Sequence, residues 1–256
     1  DQHAWGAAHL ALLRFTPFRL FAVQLTGAPN RLSSIAIFAS RLILNLIRVW
    51  FLRARRRKSA QAQKVYMQIE NDVPLQNLNT FGVPAAARYF AEIPCVEALR
   101  EALAWAKRQS LRVIILGGGS NILFTGSVDA LVLHMTGQGI TVQDLGGGKS
   151  LISVAAGENW ADLVWWAAKA GYGGLENLCL IPGTAGAAPV QNIGAYGAEF
   201  AEVCHSVAAL NRHSGEEREF SPQDCAFGYR DSIFKRRAEE WVITGIKLLL
   251  DEKAPL

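Results

Sequence analysis

The tract from Gly174 to Phe200, GLENLCLIPGTAGAAPVQNIGAYGAEF, limits most strongly what this chain can fold into. Glycines and alanines at such density give little side-chain volume to a core, but they let the backbone approach another surface closely. The sequence therefore predicts that this small-residue tract packs against a strand or against a flat ligand.

Charge is divided unevenly along the chain. Residues 1–66 contain eleven Lys and Arg against one acid, Asp1, which gives +10, whereas residues 67–256 contain fifteen bases against twenty-one acids, which gives −6. The net charge of +4 and the sequence pI near 9.0 therefore hide an acidic body. Because a basic pI points to nucleic acid only when the basic residues belong to the folded body, we expect no nucleic-acid partner.

Four interpretations of residues 1–66 remain open. The stretch Leu32–Leu52 is long enough to span a bilayer, but Arg41 and Arg48 lie within it and each costs about 2.5–3.5 kcal/mol near the membrane centre. The segment also has the basic composition of a transit peptide, and its Arg53–Lys58 run is typical of a contact with nucleic acid or lipid. We expect instead a non-native or disordered leader, with translation starting at Met67, and no membrane contact.

The body reads as a mixture of helices and strands rather than a regular βαβ repeat, which predicts the α+β class. A helix is expected from Glu92, with Pro94 in its first turn, and a second helix from the cap Asn159 to Gly171. The predicted strands are 112–116, 130–135, 152–156, 206–211, 217–221 and 241–250, and His213-Ser214-Gly215 predicts a hairpin turn between 206–211 and 217–221. We divide the body into a first subdomain, 67–128, and a second, 129–256.

The four cysteines, Cys95, Cys179, Cys204 and Cys225, form no CxxC pair, so we expect reduced thiols. The five histidines match no zinc-binding spacing, and we expect no metal.

The loop Leu116–Asn121, LGGGSN, has the hydrogen-bond donors that bind a diphosphate, because consecutive glycines leave backbone N–H groups free to point at anionic oxygens. A glycine-rich hairpin would explain the same residues. No GxGxxG occurs, which argues against a Rossmann dinucleotide site, and Gly148-Lys149-Ser150 lacks the first glycine of a P-loop, since Gln143 stands there.

Further motifs accompany this loop in a fixed order. They are NTFG at 79–82, LGGGSN, GENW at 157–160, the small-residue tract and FGYRDSIFK at 227–235. Together they resemble the UDP-N-acetylenolpyruvoylglucosamine reductase family of peptidoglycan precursor synthesis. The resemblance implies the PCMH-type FAD-binding fold, in which two subdomains enclose a non-covalent FAD. It also implies NADPH as reductant, UDP-N-acetylglucosamine enolpyruvate as substrate, a cytoplasmic location and a monomer.

The resemblance also implies the site. The catalytic residue is Arg230, which binds substrate together with Tyr229. The residues implied to bind FAD are Leu116, Gly117, Gly118, Gly119, Ser120, Asn121, Ile122, Pro182, Gly183, Thr184, Gly186, Ala187, Gln191, Asn192, Gly194, Ala195, Tyr196 and Gly197. Two alternatives stay open: Arg230 could simply pair with Asp231, and Tyr196 and Tyr229 could be packed tyrosines.

This sequence departs from the family in one respect. The family has a third, substrate-binding domain with a serine proton donor in a GSFFKNP-like motif and a catalytic glutamate in an EPEV-like strand, and neither motif occurs here. We therefore expect an amino-terminal fragment that binds FAD weakly and does not turn over. The alternatives are a short, non-catalytic flavin-binding module, tethered to a membrane by Leu32–Leu52, and an FAD-dependent oxidoreductase of the wider superfamily.

Overall fold

A computed structural model of the chain describes residues 67–252. The expectations for residues 1–66, including the Leu32–Leu52 span and the Arg53–Lys58 run, lie outside the described residues. In chain order the strands are β1 (Glu70–Pro74), β2 (Ala86–Ile93), β3 (Val113–Leu116), β4 (Val128–Met135), β5 (Ile140–Gly146), β6 (Lys149–Ala155), β7 (Tyr172–Gly173), β8 (Gly194–Ala195), β9 (Ala198–Glu199), β10 (Cys204–Asn211), β11 (Glu217–Phe220) and β12 (Trp241–Glu252). The helices are α1 (Val96–Arg108), α2 (Trp160–Lys169), α3 (Phe200–Val203), α4 (Pro222–Cys225) and α5 (Ile233–Arg236).

The first sheet has four strands in the order β1-β2-β4-β3. Strand β1 is antiparallel to β2, whereas β4 is parallel to both β2 and β3. Helix α1 makes the crossover between β2 and β3, and it buries Leu99, Leu103 and Ala106 at helical spacing. Because β3 and β4 are parallel neighbours, their carboxyl ends lie at the same end of the sheet, and the glycine loop begins there.

The second sheet is antiparallel throughout and has six strands, in the order β11-β10-β12-β6-β5 with β7 paired to β12. Its central strand β12 pairs with β6 on one side and with β10 and β7 on the other, since Asp251 has both Lys149 of β6 and Gly173 of β7 as partners. Helix α2 packs into the core of this sheet through Trp160, Leu163 and Val164. The hairpin expected around His213-Ser214-Gly215 is present as β10 and β11.

A shared core joins the two sheets. Leu131, Leu133 and Met135 of β4 pack in one cluster with Leu210 of β10 and Val242 of β12. Arg212 lies at the same junction, where its Nη2 donates to the carbonyl of Val113 at 2.7 Å and its Nη1 lies 3.2 Å from Glu239 Oε2. Burial lowers the pKa of the Arg212 guanidinium.

Two sequence expectations differ from the structure. Pro94 was expected in the first turn of α1, but it precedes the cap residue Cys95, since the helix begins only at Val96. The predicted division at 128/129 cuts through β4, which pairs with both parallel neighbours of the first sheet. The first sheet therefore extends to Met135 and the second begins at Ile140.

Candidate functional site

The glycine loop, residues 116–122, packs backbone against backbone. A Cβ on Gly118 would lie 3.0 Å from the Cα of Gly183, and a Cβ on Gly119 would lie 2.0 Å from the carbonyl oxygen of Leu78. Gly119 also has a positive φ of +66°, a conformation that glycine adopts without strain. Side chains are excluded here because two other segments occupy the space.

The loop leaves its amide groups available. Within residues 67–252, no backbone hydrogen bond is donated by the N–H groups of residues 118–121. From the other side, the N–H of Thr80 donates to the carbonyl of Gly119 at 3.1 Å. Asn79 holds that supporting segment, because its Nδ2 donates to the carbonyls of Leu75 and Val83 while its Oδ1 accepts the N–H of Val83. The arrangement is a cradle of unpaired donors, which favours an anion.

The opposite wall is formed by the small-residue tract, which is held in place by the first residues of α2. Asn159 caps the helix by accepting the N–H of Asp162 at 3.0 Å. Next to the cap, the N–H of Trp160 donates to the carbonyl of Gly183 at 3.0 Å. The indole N–H of Trp160 reaches the carbonyl of Leu178 at 2.9 Å, so one residue fixes two points of the tract.

Between these walls lies a cleft of about 840 Å³. Twelve of the residues predicted to bind FAD line it: Leu116, Gly117, Gly118, Gly119, Ser120, Asn121, Ile122, Pro182, Gly183, Thr184, Ala187 and Gln191. None of its described lining residues is Asp, Glu, Lys, Arg or His. Asn121 Nδ2 donates to Gln191 Oε1 at 3.0 Å and joins the two walls. An anion in this cleft would be bound by N–H dipoles rather than by a charged side chain.

Most of the other predicted residues line two further spaces. Gly186 lines a second cleft of about 930 Å³, which shares Gly117, Thr184 and Ala187 with the first and runs between the sheets to Trp241. A depression of about 630 Å³ is lined by Gly194, Ala195, Gly197, Tyr229 and Arg230, among others. Tyr196 lines none of these three spaces.

Arg230 lies in a tight turn, residues 228–231, in which Gly228 and Asp231 pair and Tyr229 and Arg230 form the tip. We call it the arginine turn. The N–H groups of Gly228 and Asp231 each donate to the other's carbonyl, at 3.0 and 3.1 Å. Arg230 has a φ of +53°, which is uncommon for a non-glycine residue. Its Nη2 donates to the carbonyl of Gly194 at 2.8 Å, so its guanidinium lies against the small-residue tract.

The structure decides both alternatives left open by the sequence. Asp231 pairs with Arg236, and among the described residues no carboxylate pairs with Arg230, so the Arg230–Asp231 pair is wrong. Tyr196 and Tyr229 are 89% and 85% exposed. They are therefore not packed tyrosines.

Asn192, a further residue predicted to bind FAD, has its side chain buried among protein groups. Asn192 is buried, with 1% of its surface exposed, and lines none of the three spaces described above. Its Nδ2 donates to Glu199 Oε2 at 2.7 Å and to the carbonyl of Gly228 at 3.1 Å, and its Oδ1 accepts the N–H of Ala201 at 2.9 Å. Both the Nδ2 and the Oδ1 of the Asn192 side chain are thus hydrogen-bonded to protein groups.

Sequence reasoning missed five residues that line the first cleft: Ile115, Trp160, Ala188, Val190 and Ile193. The sequence did contain a signal for Trp160, because this residue ends the GENW motif, one of the motifs on which the resemblance rests. The others are apolar residues beside glycines, and their exposure to the cleft depends on contacts between distant segments.

The model of a family described as an FAD binding domain matches residues 87–221, which include both walls of the cleft. The chain belongs to this FAD-binding domain family. FAD is therefore the cofactor for which the family fold is built, as the sequence predicted. The unpaired N–H groups of residues 118–121 and the space that glycine alone leaves at Gly119 fit its diphosphate.

Curated relatives confirm the resemblance to the reductases. The chain is 47% identical over 184 residues to the UDP-N-acetylenolpyruvoylglucosamine reductase of Pseudomonas putida, covering 72% of this chain and 54% of that protein. It is 44% identical over 188 residues to the reductase of Amoebophilus asiaticus, covering 73% and 56%. The chain thus spans about half the length of the curated relatives it matches.

Solved structures agree with the fold. UDP-N-acetylenolpyruvylglucosamine reductase from Thermus caldophilus is 30% identical with a TM-score of 0.60, covering 74% of this chain and 64% of that one. A solvent-stable cholesterol oxidase, 16% identical with a TM-score of 0.55, covers 75% and 39% and shares the fold alone. The α+β fold of the PCMH-type flavoproteins is confirmed.

Among residues 67–252, no group of three or more His, Cys, Asp or Glu side chains is placed to hold a metal ion. No helix in the same range is both long and apolar enough to cross a bilayer.

Proposed function

We propose that this chain is the FAD-binding portion of a UDP-N-acetylenolpyruvoylglucosamine reductase. The reaction consumes NADPH and one proton, saturates the C=C bond of the enolpyruvyl group and yields NADP⁺ and the lactyl ether, UDP-N-acetylmuramate. The observation that carries the proposal is the position of Arg230. Its guanidinium donates to the carbonyl of Gly194 in the small-residue tract, and no carboxylate among the described residues pairs with it.

The chain's own groups bind the cofactor through its diphosphate. The unpaired amides of residues 118–121 would hold the anionic oxygens. The Ser120 hydroxyl and the second N–H of the Asn121 side-chain amide would be further donors, since the first N–H already donates to Gln191. The second cleft, lined by Ile115, Val190 and Trp241, offers the apolar surface that an adenine ring needs. FAD, when bound, supplies hydride transfer in two stages, from NADPH and then to the substrate.

Arg230 acts on the substrate. Hydride addition to the enolpyruvyl group moves negative charge onto the neighbouring carboxylate, and a planar guanidinium binds both carboxylate oxygens in one plane. Because the charge increases in the transition state, this contact lowers the barrier rather than only tightening binding. Tyr229, exposed beside Arg230 on the turn, completes the proposed substrate contact.

We further propose that the protein acts in the cytoplasm as a monomer, in keeping with its nucleotide substrates. Residues 67–135 and 140–252 would form the first and second FAD-binding subdomains.

The test is an anaerobic single-turnover experiment. The FAD-loaded protein is bleached at the flavin absorbance band with NADPH, and UDP-N-acetylglucosamine enolpyruvate is then added. A single turnover is chosen because each reduction also takes up one proton, and over one slow cycle that proton can come from water without a positioned donor. Recovery of the absorbance with the lactyl ether in the mass spectrum is expected. Recovery with oxygen but not with the enolpyruvyl nucleotide would overturn the proposal and favour the non-catalytic flavin-binding module.

A further inference from the structure

The short segment Val190–Gly194 contacts two different parts of the site. Val190, Gln191 and Ile193 line the first cleft, where Gln191 accepts from Asn121 of the glycine loop. The side chain of Asn192 and the backbone carbonyls of Val190 and Gly194 instead contact the arginine turn and Ser232, the residue after it. The segment therefore lies between the cofactor cleft and the residue that the proposed reaction needs.

Three hydrogen bonds fasten the arginine turn to this segment. Ser232 Oγ donates to the carbonyl of Val190 at 2.7 Å, Asn192 Nδ2 donates to the carbonyl of Gly228 at 3.1 Å, and Arg230 Nη2 donates to the carbonyl of Gly194 at 2.8 Å. Asn192 and Ser232 are both buried, but of the three contacts only the one from Asn192 reaches the base of the turn itself, at Gly228. The same amide also holds Glu199 and Ala201.

We propose that Asn192 is a positioning residue that holds the arginine turn in register with the cofactor cleft, rather than a contact to the cofactor. This rests on the proposed function, because the turn matters through Arg230. Asparagine suits the position for two reasons: its backbone has a φ of +44°, which asparagine tolerates better than most residues, and its amide both donates and accepts.

The isosteric change Asn192→Asp gives a sharp test. The new carboxylate can still accept from the N–H of Ala201, but it cannot donate to Gly228 unless protonated, and it stands beside the Glu199 carboxylate. Two carboxylates this close share a proton at low pH and repel each other once it is lost. The other charged groups nearby are Glu202, which accepts the N–H of Glu199, and Arg230.

Two readouts are measured at about pH 5 and about pH 8.5, because a carboxylate pair holds a shared proton more readily at the lower pH. The first is hydrogen exchange of the peptide that contains the arginine turn. The second is the single-turnover rate with the enolpyruvyl nucleotide. The control is Asn211→Asp, because Asn211 uses only its Oδ1, which accepts the N–H groups of His213 and Ser214, and aspartate keeps both contacts.

For Asn192→Asp we expect the turn to exchange faster than in the control at the higher pH, with the rate reduced on the order of 100-fold, and both effects to shrink at the lower pH. The second change Glu199→Gln in the same chain should relieve only the repulsion between carboxylates, because the introduced carboxylate still cannot donate to Gly228. The turn should therefore still exchange faster, and the rate stay below that of the control, at the higher pH, and full recovery of both would overturn the role of the contact to Gly228. Exchange and rate that match the control at both pH values would overturn the inference. If no variant reduces the substrate, the proposed function fails, and hydrogen exchange alone then decides the role of Asn192.

Discussion

The two sides of the candidate site are built by opposite means. The glycine loop is held by backbone packed on backbone, with Gly118 against Gly183 and Gly119 against Leu78, so that side chains are excluded. The arginine turn is held by side chains, through Ser232, Asn192 and Arg230. The difference teaches that the shape of the proposed cofactor cleft depends on the absence of side-chain atoms, whereas the placement of Arg230 depends on particular side-chain groups.

The largest effect should come from the change Gly119→Ala. Its Cβ would lie 2.0 Å from a backbone carbonyl oxygen that no side-chain rotation can move, and the residue would keep a positive φ. We expect a loss of at least about 3 kcal/mol in the free energy of unfolding and the loss of FAD binding. Thermal unfolding and flavin retention after gel filtration measure both.

The matched control is Gly126→Ala, where an added Cβ meets nothing within 4 Å and no positive φ is required. If both variants retained FAD equally, the view of the glycine loop as a space-limited cradle would be wrong.

A smaller effect is expected from Ser232→Ala on the arginine turn. The hydroxyl donates to the carbonyl of Val190 and caps α5 by accepting the N–H of Phe234. Ser221→Ala removes a comparable cap, that of α4, away from the site. Both changes should cost about 1 kcal/mol of stability. Only Ser232→Ala should slow the single turnover, by about tenfold, while FAD affinity stays the same in both.

Fluorescence titration of FAD and stopped-flow absorbance separate these two quantities. If Ser232→Ala weakened FAD binding and left the single-turnover rate unchanged, the arginine turn would serve cofactor binding, and the division of roles between it and the glycine loop would be wrong.

The smallest effect concerns His134, whose partner across the sheet is Leu116, the first residue of the glycine loop. Burial lowers the pKa of this imidazole, Glu92 acts weakly in the opposite direction, and its Nδ1 has no hydrogen-bond partner. Because the fold disfavours the protonated form, stability is complete above the unfolded pKa of about 6.5 and falls as the pH drops toward the lower folded value.

Urea unfolding of the wild type and of His134→Gln between these pH values should show that this decline is reduced in the variant. His213→Gln, in an exposed turn, serves as the control. Equal pH dependence in all three proteins would remove His134 as its cause.

Much of this arrangement could be predicted from the sequence, for reasons that are local. Asn159 was predicted as a cap and caps α2, the hairpin around Ser214 is present, and the glycine loop and small-residue tract do face each other. Each of these follows from a short pattern of residue types.

What the sequence missed depends on contacts between distant segments. Strand β4 reads as an ordinary apolar strand, and nothing local says that it lies between β2 and β3 rather than in the second sheet. The resemblance implied that Asn192 binds FAD, yet its side chain contacts Glu199, Gly228 and Ala201, which come from other segments of the chain. The Arg230–Asp231 pair failed because Arg236, one turn along α5, reaches Asp231 instead.

The neutral lining of the first cleft has a consequence for how the protein behaves in different ionic media. Salt weakens phosphate binding mainly by screening lysine and arginine, and the described walls of this cleft contain neither. Amide dipoles inside a shaped groove act over a few ångströms, well within the screening length. Cofactor retention is then governed by the shape of the groove, and a concentrated salt wash that strips nucleotides from basic sites has little to act on here.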